Sequence, residues 1–220
     1  MGVARAYFLR DTNLMARRRG RPPGTSGRAA VLSAAQVRHV FRVARSRGRH
    51  AARAEATLAL TIGLGLRAKE LAGLTWADVY EPDGRVRRLV HLKAAYTKGG
   101  KTRDVFVSSP ALRRVLEKYG ERDWLGSARA SQAALFASQK GGPMTACSMA
   151  RFLKALYREA GIAGASSHSG RRTLITRLAE RGVDLKAIAQ IAGHTSIRTT
   201  AMYVESNPTR LARILQDVTW

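Results

Sequence analysis

The sequence predicts an α+β fold, mainly α-helical, with a small antiparallel three-stranded sheet set into it. Three observations carry that reading. Apolar residues recur at helical spacing, with capping signals, through both halves of the chain. Short β-like segments gather around one glycine turn near the middle. The 220 residues, 45% of them hydrophobic, suffice for a single core with short appendages.

Residues 1–28 read as a flexible basic arm. Arg17, Arg18, Arg19 and Arg21 are interleaved with Gly20, Pro22, Pro23 and Gly24, which oppose a regular helix. Arg19-Gly20-Arg21-Pro22 matches the core of an AT-hook, an extended minor-groove binder. A plain tail that grips phosphates accounts for the same charges and is preferred.

The folded region, residues 29–206, is entered near Leu32. Ser33 and Gln36 make a capping box, and Val37, Val40, Phe41 and Ala44 a helical stripe. A second helix is predicted over Ala52 to Ile62 and a short third over Ala68 to Leu74, after the Gly63-Leu64-Gly65-Leu66 break. Strands are predicted at Trp76 to Tyr80, Val86 to Lys93 and Thr102 to Val107, the last two flanking a turn at Lys98-Gly99-Gly100-Lys101. Ser109-Pro110 opens a helix with an N-cap and a proline at its first position. Another runs from Ala146 or Ser148 to Ala160, and one from Arg171 to Arg181 stops at Gly182. Asp184 caps Leu185 to Ala192, and a short helix runs from Ile197 to Tyr203. The Leu174, Leu178 and Leu185, Ile188, Ile191 stripes are expected in the core. After Asn207-Pro208, residues 207–220 form a last helix, with Leu211, Ile214, Leu215 and Val218 on one face.

The formal net charge is +24, from 39 basic against 15 acidic residues, and nucleic acid is the expected partner. No apolar run approaches the roughly 18 residues a membrane span needs. No secretory signal opens the chain, so a cytoplasmic, nucleoid-associated protein with no membrane contact is expected. Cys147 is the only cysteine, which excludes an intrachain disulfide and argues against a cysteine-based zinc site.

Phosphodiester exchange without a metal needs fixed guanidinium groups on the phosphate, a hydroxyl nucleophile and a proton donor for the leaving oxygen. Thr61-Ile62-Gly63-Leu64-Gly65-Leu66-Arg67-Ala68-Lys69-Glu70-Leu71-Ala72-Gly73-Leu74-Thr75-Trp76-Ala77-Asp78 resembles the first box of the tyrosine recombinase, or phage integrase, family. His168-Ser169-Gly170-Arg171 resembles its H-x-x-R, and Gly193 to Tyr203 its G-H-x-x-x-x-T-T-x-x-Y. Thr97 to Arg103 resembles the hairpin that carries its lysine. Each motif alone is a common local pattern; their order and separation make the resemblance specific.

The resemblance implies the catalytic-domain fold of that family and a role for each matched residue. Arg67 and Arg171 would clamp the scissile phosphate, and His194 would hydrogen-bond one of its oxygens. His168, three residues before Arg171, would project from the same side and serve as acid or base. Lys98 would protonate the 5′ leaving oxygen, with Lys101 as a rival, and Tyr203 would form a 3′-phosphotyrosine. Glu70 would orient Arg67 or a neighbour. Arg17, Arg18, Arg19, Arg21, Lys101, Arg103 and Arg172 would contact DNA. Neither ATP, a cofactor nor a metal is implied. The partners would be double-stranded DNA with recombination sites and further copies of the chain: a homotetramer on synapsed DNA, a monomer or dimer in solution.

Two departures stand out. Arg172 and Gly170 occupy positions where many members have His and Leu, changes expected to shift DNA contacts. A separate core-binding domain precedes the catalytic domain in many members and has no room here. The chain is thus read as a minimal form, with a fragment as the alternative; Met1 favours the former. The 207–220 helix packs either on its own domain or on a neighbouring protomer. Other tasks for the same features are relaxation of DNA by type IB topoisomerase-like chemistry and non-catalytic DNA binding.

Overall fold

A computed structural model describes residues 29–97, 100–123, 132–139, 141–203 and 216. The expected basic arm, Lys98 and the C-terminal helix lie outside the described residues.

Helix α2 (Ala51–Gly63) runs through the middle of the molecule. Its residues from Ala54 to Ile62 are all buried, Glu55 among them in an ion pair with Arg45, as befits a central helix. Around it pack α1 (Ala34–Arg45), α5 (Pro110–Asp123), α6 (Ala146–Glu159) and α7 (Ser169–Glu180). The Ser33–Gln36 capping box forms as the sequence predicts, Ser33 Oγ accepting from Gln36 N at 3.2 Å and Gln36 Oε1 from Ser33 N at 2.9 Å. The short helices α3 (Ala68–Gly73), α8 (Leu185–Ala192) and α9 (Ile197–Ala201) complete the part of the fold that bears the site.

The sheet has two strands among the described residues, not three. Strands β1 (Leu89–Leu92) and β2 (Arg103–Phe106) pair antiparallel, with Leu89 opposite Phe106 and Leu92 opposite Arg103. Trp76 to Tyr80, expected as the third strand, is instead a helical turn, α4 (Trp76–Val79). The reason is local. Asp78 Oδ2 accepts from Thr75 N and from Thr75 Oγ1, both at 2.8 Å, and this T-x-x-D cap nucleates a turn in a segment whose aromatic content suits a strand. Trp76 then stacks on Tyr119 of α5, ring centroids 5.2 Å apart, and so anchors α4 on the core.

Two apolar clusters divide the described residues. The larger surrounds α2; the smaller joins Ile175, Ala179, Ile188 and Ala192 of α7 and α8, with Leu178, Val183 and Tyr203 packed on it. Ile191 was expected in this core and is 41% exposed, because α8 turns only one narrow stripe inward. The smaller cluster is held to the larger through α7, and Gly170 sets how closely. A Cβ there would lie 2.8 Å from Thr61 Cγ2 and 3.0 Å from Ile62 Cγ1. Gly170 thus faces α2 and serves close helix packing; the expected effect on DNA contacts finds no support in this position. Arg172 is likewise interior. It is buried and donates from Nη1 to Ala29 O at 2.7 Å, so its guanidinium is tied to the first of the described residues.

Candidate active site

The break after α2 builds the first part of the site. Gly65 takes φ +67°, a left-handed conformation open to glycine, and turns the chain so that Leu66 enters the core and Arg67 opens α3. Glu70, one turn on, reaches back: its Oε2 accepts from Arg67 N at 2.7 Å and its Oε1 from Arg67 Nη1 at 2.8 Å. Glu70 is fully buried, and Arg103 Nη2 donates to Oε2 at 2.9 Å. Burial alone would raise its pKa; Arg103 and Arg67 outweigh burial and hold it below the ordinary value. It is a charged carboxylate shared by two arginines.

The second part comes from the end of α8. Gly193, at φ +62°, closes the helix, and His194 N donates back to Ala189 O at 2.9 Å. A helix end leaves carbonyls without partners. Here three consecutive ones are taken by three arginines from three elements. Arg103 Nη1 donates to Ile191 O at 2.7 Å, Arg171 Nη2 to Ala192 O, and Arg67 Nη2 to Gly193 O at 3.2 Å. The negative end of the α8 dipole reinforces these contacts. Arg171, from the first turn of α7, also donates from Nη1 to Gly65 O at 2.7 Å, so it bridges both parts.

This arrangement concentrates positive charge around a single carboxylate. Burial first, then the neighbouring Arg67 and Arg103, push Arg171 down to about 9, so it remains charged at neutral pH but in a field that favours an anion. The same field acts on His194, which burial, Arg171, Arg67 and Arg103 push down to about 4. The imidazole is therefore neutral at pH 7. Its Nδ1 lies 2.9 Å from the Oγ1 of Thr200, and its ring stacks on Tyr203 with centroids 5.6 Å apart and planes 18° off parallel. Tyr203 is half-buried just past α9, its backbone N donating to Thr200 O at 2.9 Å. Helix α9 ends at Ala201, short of the expected Tyr203.

The structure thus brings Arg67, Arg171, His194, Tyr203 and Glu70 together. His168 precedes the first turn of α7 with an exposed side chain, in contrast to the buried Arg171 three residues on. Lys98 falls outside the described residues, and Lys101 is exposed on the hairpin. Arg103, expected to contact DNA, is instead built into the site, with its side chain 11% exposed. Strand alternation could have found it, because Arg103 shares a face with the buried Val105. Thr200, buried beneath His194, was quoted in the sequence motif without a role.

The low values of Glu70 and His194 give a pH dependence whose sign is fixed. A histidine with a folded value near 4 and an unfolded value of 6.5 takes up its proton first in the unfolded chain, so stability falls as pH drops through that window. Glu70 stabilises above its unfolded value of 4.5, and that contribution is lost as pH falls through its folded value. The melting temperature is expected to decline from pH 7 to 5. His194→Gln, whose amide can keep the Thr200 bond, is expected to flatten the decline above pH 5. An unchanged profile in that variant would count against the assignment.

The Phage integrase family matches residues 30–210. Tyrosine recombinase XerD of Oceanobacillus iheyensis is 33% identical over 168 residues, which cover 75% of this chain and 54% of that protein. Among solved structures, XerA recombinase superposes with a TM-score of 0.68 at 22% identity, covering 87% of this chain and 66% of that one. XerH site-specific recombinase bound to palindromic difH substrate, a post-cleavage complex, superposes with a TM-score of 0.66 at 19% identity, covering 85% of this chain and 52% of that one. At these identities the two structures show a common fold. The chain spans about half the length of the relatives it matches. Among the described residues, no helix is long and apolar enough to cross a membrane.

Proposed function

Because the chain belongs to the phage integrase family of tyrosine recombinases, we propose that it is a site-specific DNA recombinase. It cleaves and rejoins DNA strands through a 3′-phosphotyrosine at Tyr203. One observation carries the reading: Arg67, Arg171 and His194 gather beside Tyr203 in a partly buried cluster of positive charge. Such a cluster suits one backbone phosphate better than any neutral ligand.

In this reading Arg67 and Arg171 neutralise the phosphate as it passes through a pentacoordinate state. Thr200 donates its hydroxyl hydrogen to His194 Nδ1, so Nε2 carries the hydrogen that a phosphate oxygen accepts. The phenol oxygen of Tyr203 attacks phosphorus as its proton passes to a base, for which His168 is the candidate. The 5′-oxygen leaves and takes a proton from Lys98. A 5′-hydroxyl from another strand then reverses the ester, which conserves the bond energy and needs no ATP. The partners proposed are double-stranded DNA with recombination sites and a homotetramer on synapsed DNA.

The test is adduct trapping. A duplex carrying the recombination site, nicked so that the cleaved end diffuses away, should leave a denaturant-stable protein–DNA adduct whose peptide maps to Tyr203. Tight binding with no adduct would leave a DNA-binding protein only. A Holliday junction from paired sites would separate recombination from simple relaxation. Binding should also weaken steeply with salt. With a net charge of +24, a loss of roughly 10³-fold between 50 and 200 mM is expected for several phosphate contacts, read as the slope of log K against log salt. A flat slope would exclude broad backbone gripping.

A further inference from the structure

Arg103 lies on β2, yet its guanidinium ends at the far side of the site. One arm meets Glu70 Oε2 at 2.9 Å and the other meets Ile191 O at 2.7 Å, at the end of α8. The path between them is shaped for it. A Cβ on Gly193 would lie 2.5 Å from Arg103 Cδ and 2.8 Å from Nε, so the glycine leaves the space the side chain occupies. Strand alternation directs Arg103 inward with Val105, while Asp104 and Phe106 point out. The residue that follows Gly193 is His194, and Tyr203 stacks on it.

We propose that Arg103 is a positioning residue for the cleavage reaction: it ties the β1–β2 hairpin and Glu70 to the end of α8, and thereby fixes His194 and Tyr203 against Arg67 and Arg171. It does so without touching the reacting atoms. Tyr203 packs on the smaller apolar cluster, whereas Arg67 and Glu70 stand on α3, beside the larger one. Contacts across the two are therefore what set the distance between nucleophile and phosphate clamp. Arg171 and Arg67 also cross, but both are committed to the phosphate in the proposed reaction. Arg103 crosses and remains bound to protein at both ends. Its planar fork suits this: a lysine ammonium, a single point of charge, would keep Glu70 and lose Ile191 O, or the reverse.

The inference rests on the recombinase reading for its effect on cleavage, but two of its readouts use the ligand-free full chain. In Arg103→Met, amide exchange over residues 194–203 is expected to quicken about 10-fold while α1, α2 and α6 keep wild-type rates. The His194 ring should titrate at a higher pH by NMR, because one of three guanidiniums beside it is gone. Adduct formation on the nicked duplex should slow roughly 10²-fold, with DNA affinity within about threefold of wild type. Arg103→Lys should restore most of the His194 titration and keep the faster exchange. Exchange and titration both at wild-type values in Arg103→Met would overturn the proposal, as would a rise in exchange spread evenly through the chain. Should Arg103→Met not fold, Arg103→Lys decides on the same criterion: faster exchange confined to 194–203 supports it, and wild-type or uniform exchange overturns it. Tight DNA binding by the wild-type chain with no denaturant-stable adduct would instead overturn the recombinase reading and leave the ligand-free results standing.

Discussion

Tyr203→Phe is expected to abolish the covalent adduct and leave the fold and DNA binding intact. Removing the hydroxyl removes the only atom the reaction asks of this side chain. The ring itself keeps its work in the structure: it still stacks on His194 and still packs on Ile175, Ile188 and their neighbours. The loss in stability should stay within about 0.5 kcal/mol, the range of a substitution that disturbs no core contact. Cleavage, by contrast, should fall to background on the nicked duplex, with Kd for intact DNA unchanged. A denaturant-stable adduct formed by the phenylalanine variant would remove Tyr203 as the nucleophile. A variant that also fails to bind DNA would show that the hydroxyl serves binding as well as cleavage.

The second large effect is expected at Arg171. Its two arms satisfy Gly65 O and Ala192 O, on opposite sides of the site. In Arg171→Ala both carbonyls lose a buried donor, at about 1–3 kcal/mol each for an unsatisfied buried group. Relief of repulsion from Arg67 and Arg103 offsets part of that, so a net loss of about 2–4 kcal/mol is expected in urea or thermal unfolding. Arg171→Lys separates stability from chemistry. It keeps the charge but cannot span both carbonyls and a phosphate oxygen, so single-turnover cleavage should fall at least ~10³-fold with a smaller loss of stability. DNA affinity should move little, because the rest of the basic surface carries it. Cleavage within tenfold of wild type in Arg171→Lys would mean that any cation suffices there, and the bidentate clamp would have to be abandoned.

The amino-acid order alone determined the helical character of the chain and the residues around which the site forms. Capping at Ser33 and Asp184 and the stop at Gly182 are contacts between near neighbours in sequence, so local patterns report them. The same locality misled at Trp76 to Tyr80, where strand-like composition hid the Thr75–Asp78 cap. Arg67, Arg171, His194 and Tyr203 were legible as motifs, but not their mutual contact. That Arg103 belongs inside the site, that Arg172 is interior, and that Gly170 faces α2 were decided by tertiary structure. The physical reason is distance along the chain. A guanidinium on β2 that meets a carbonyl 88 residues away obeys no periodicity, and only packing of the two apolar clusters brings the three free carbonyls of α8 to the three arginines that complete them.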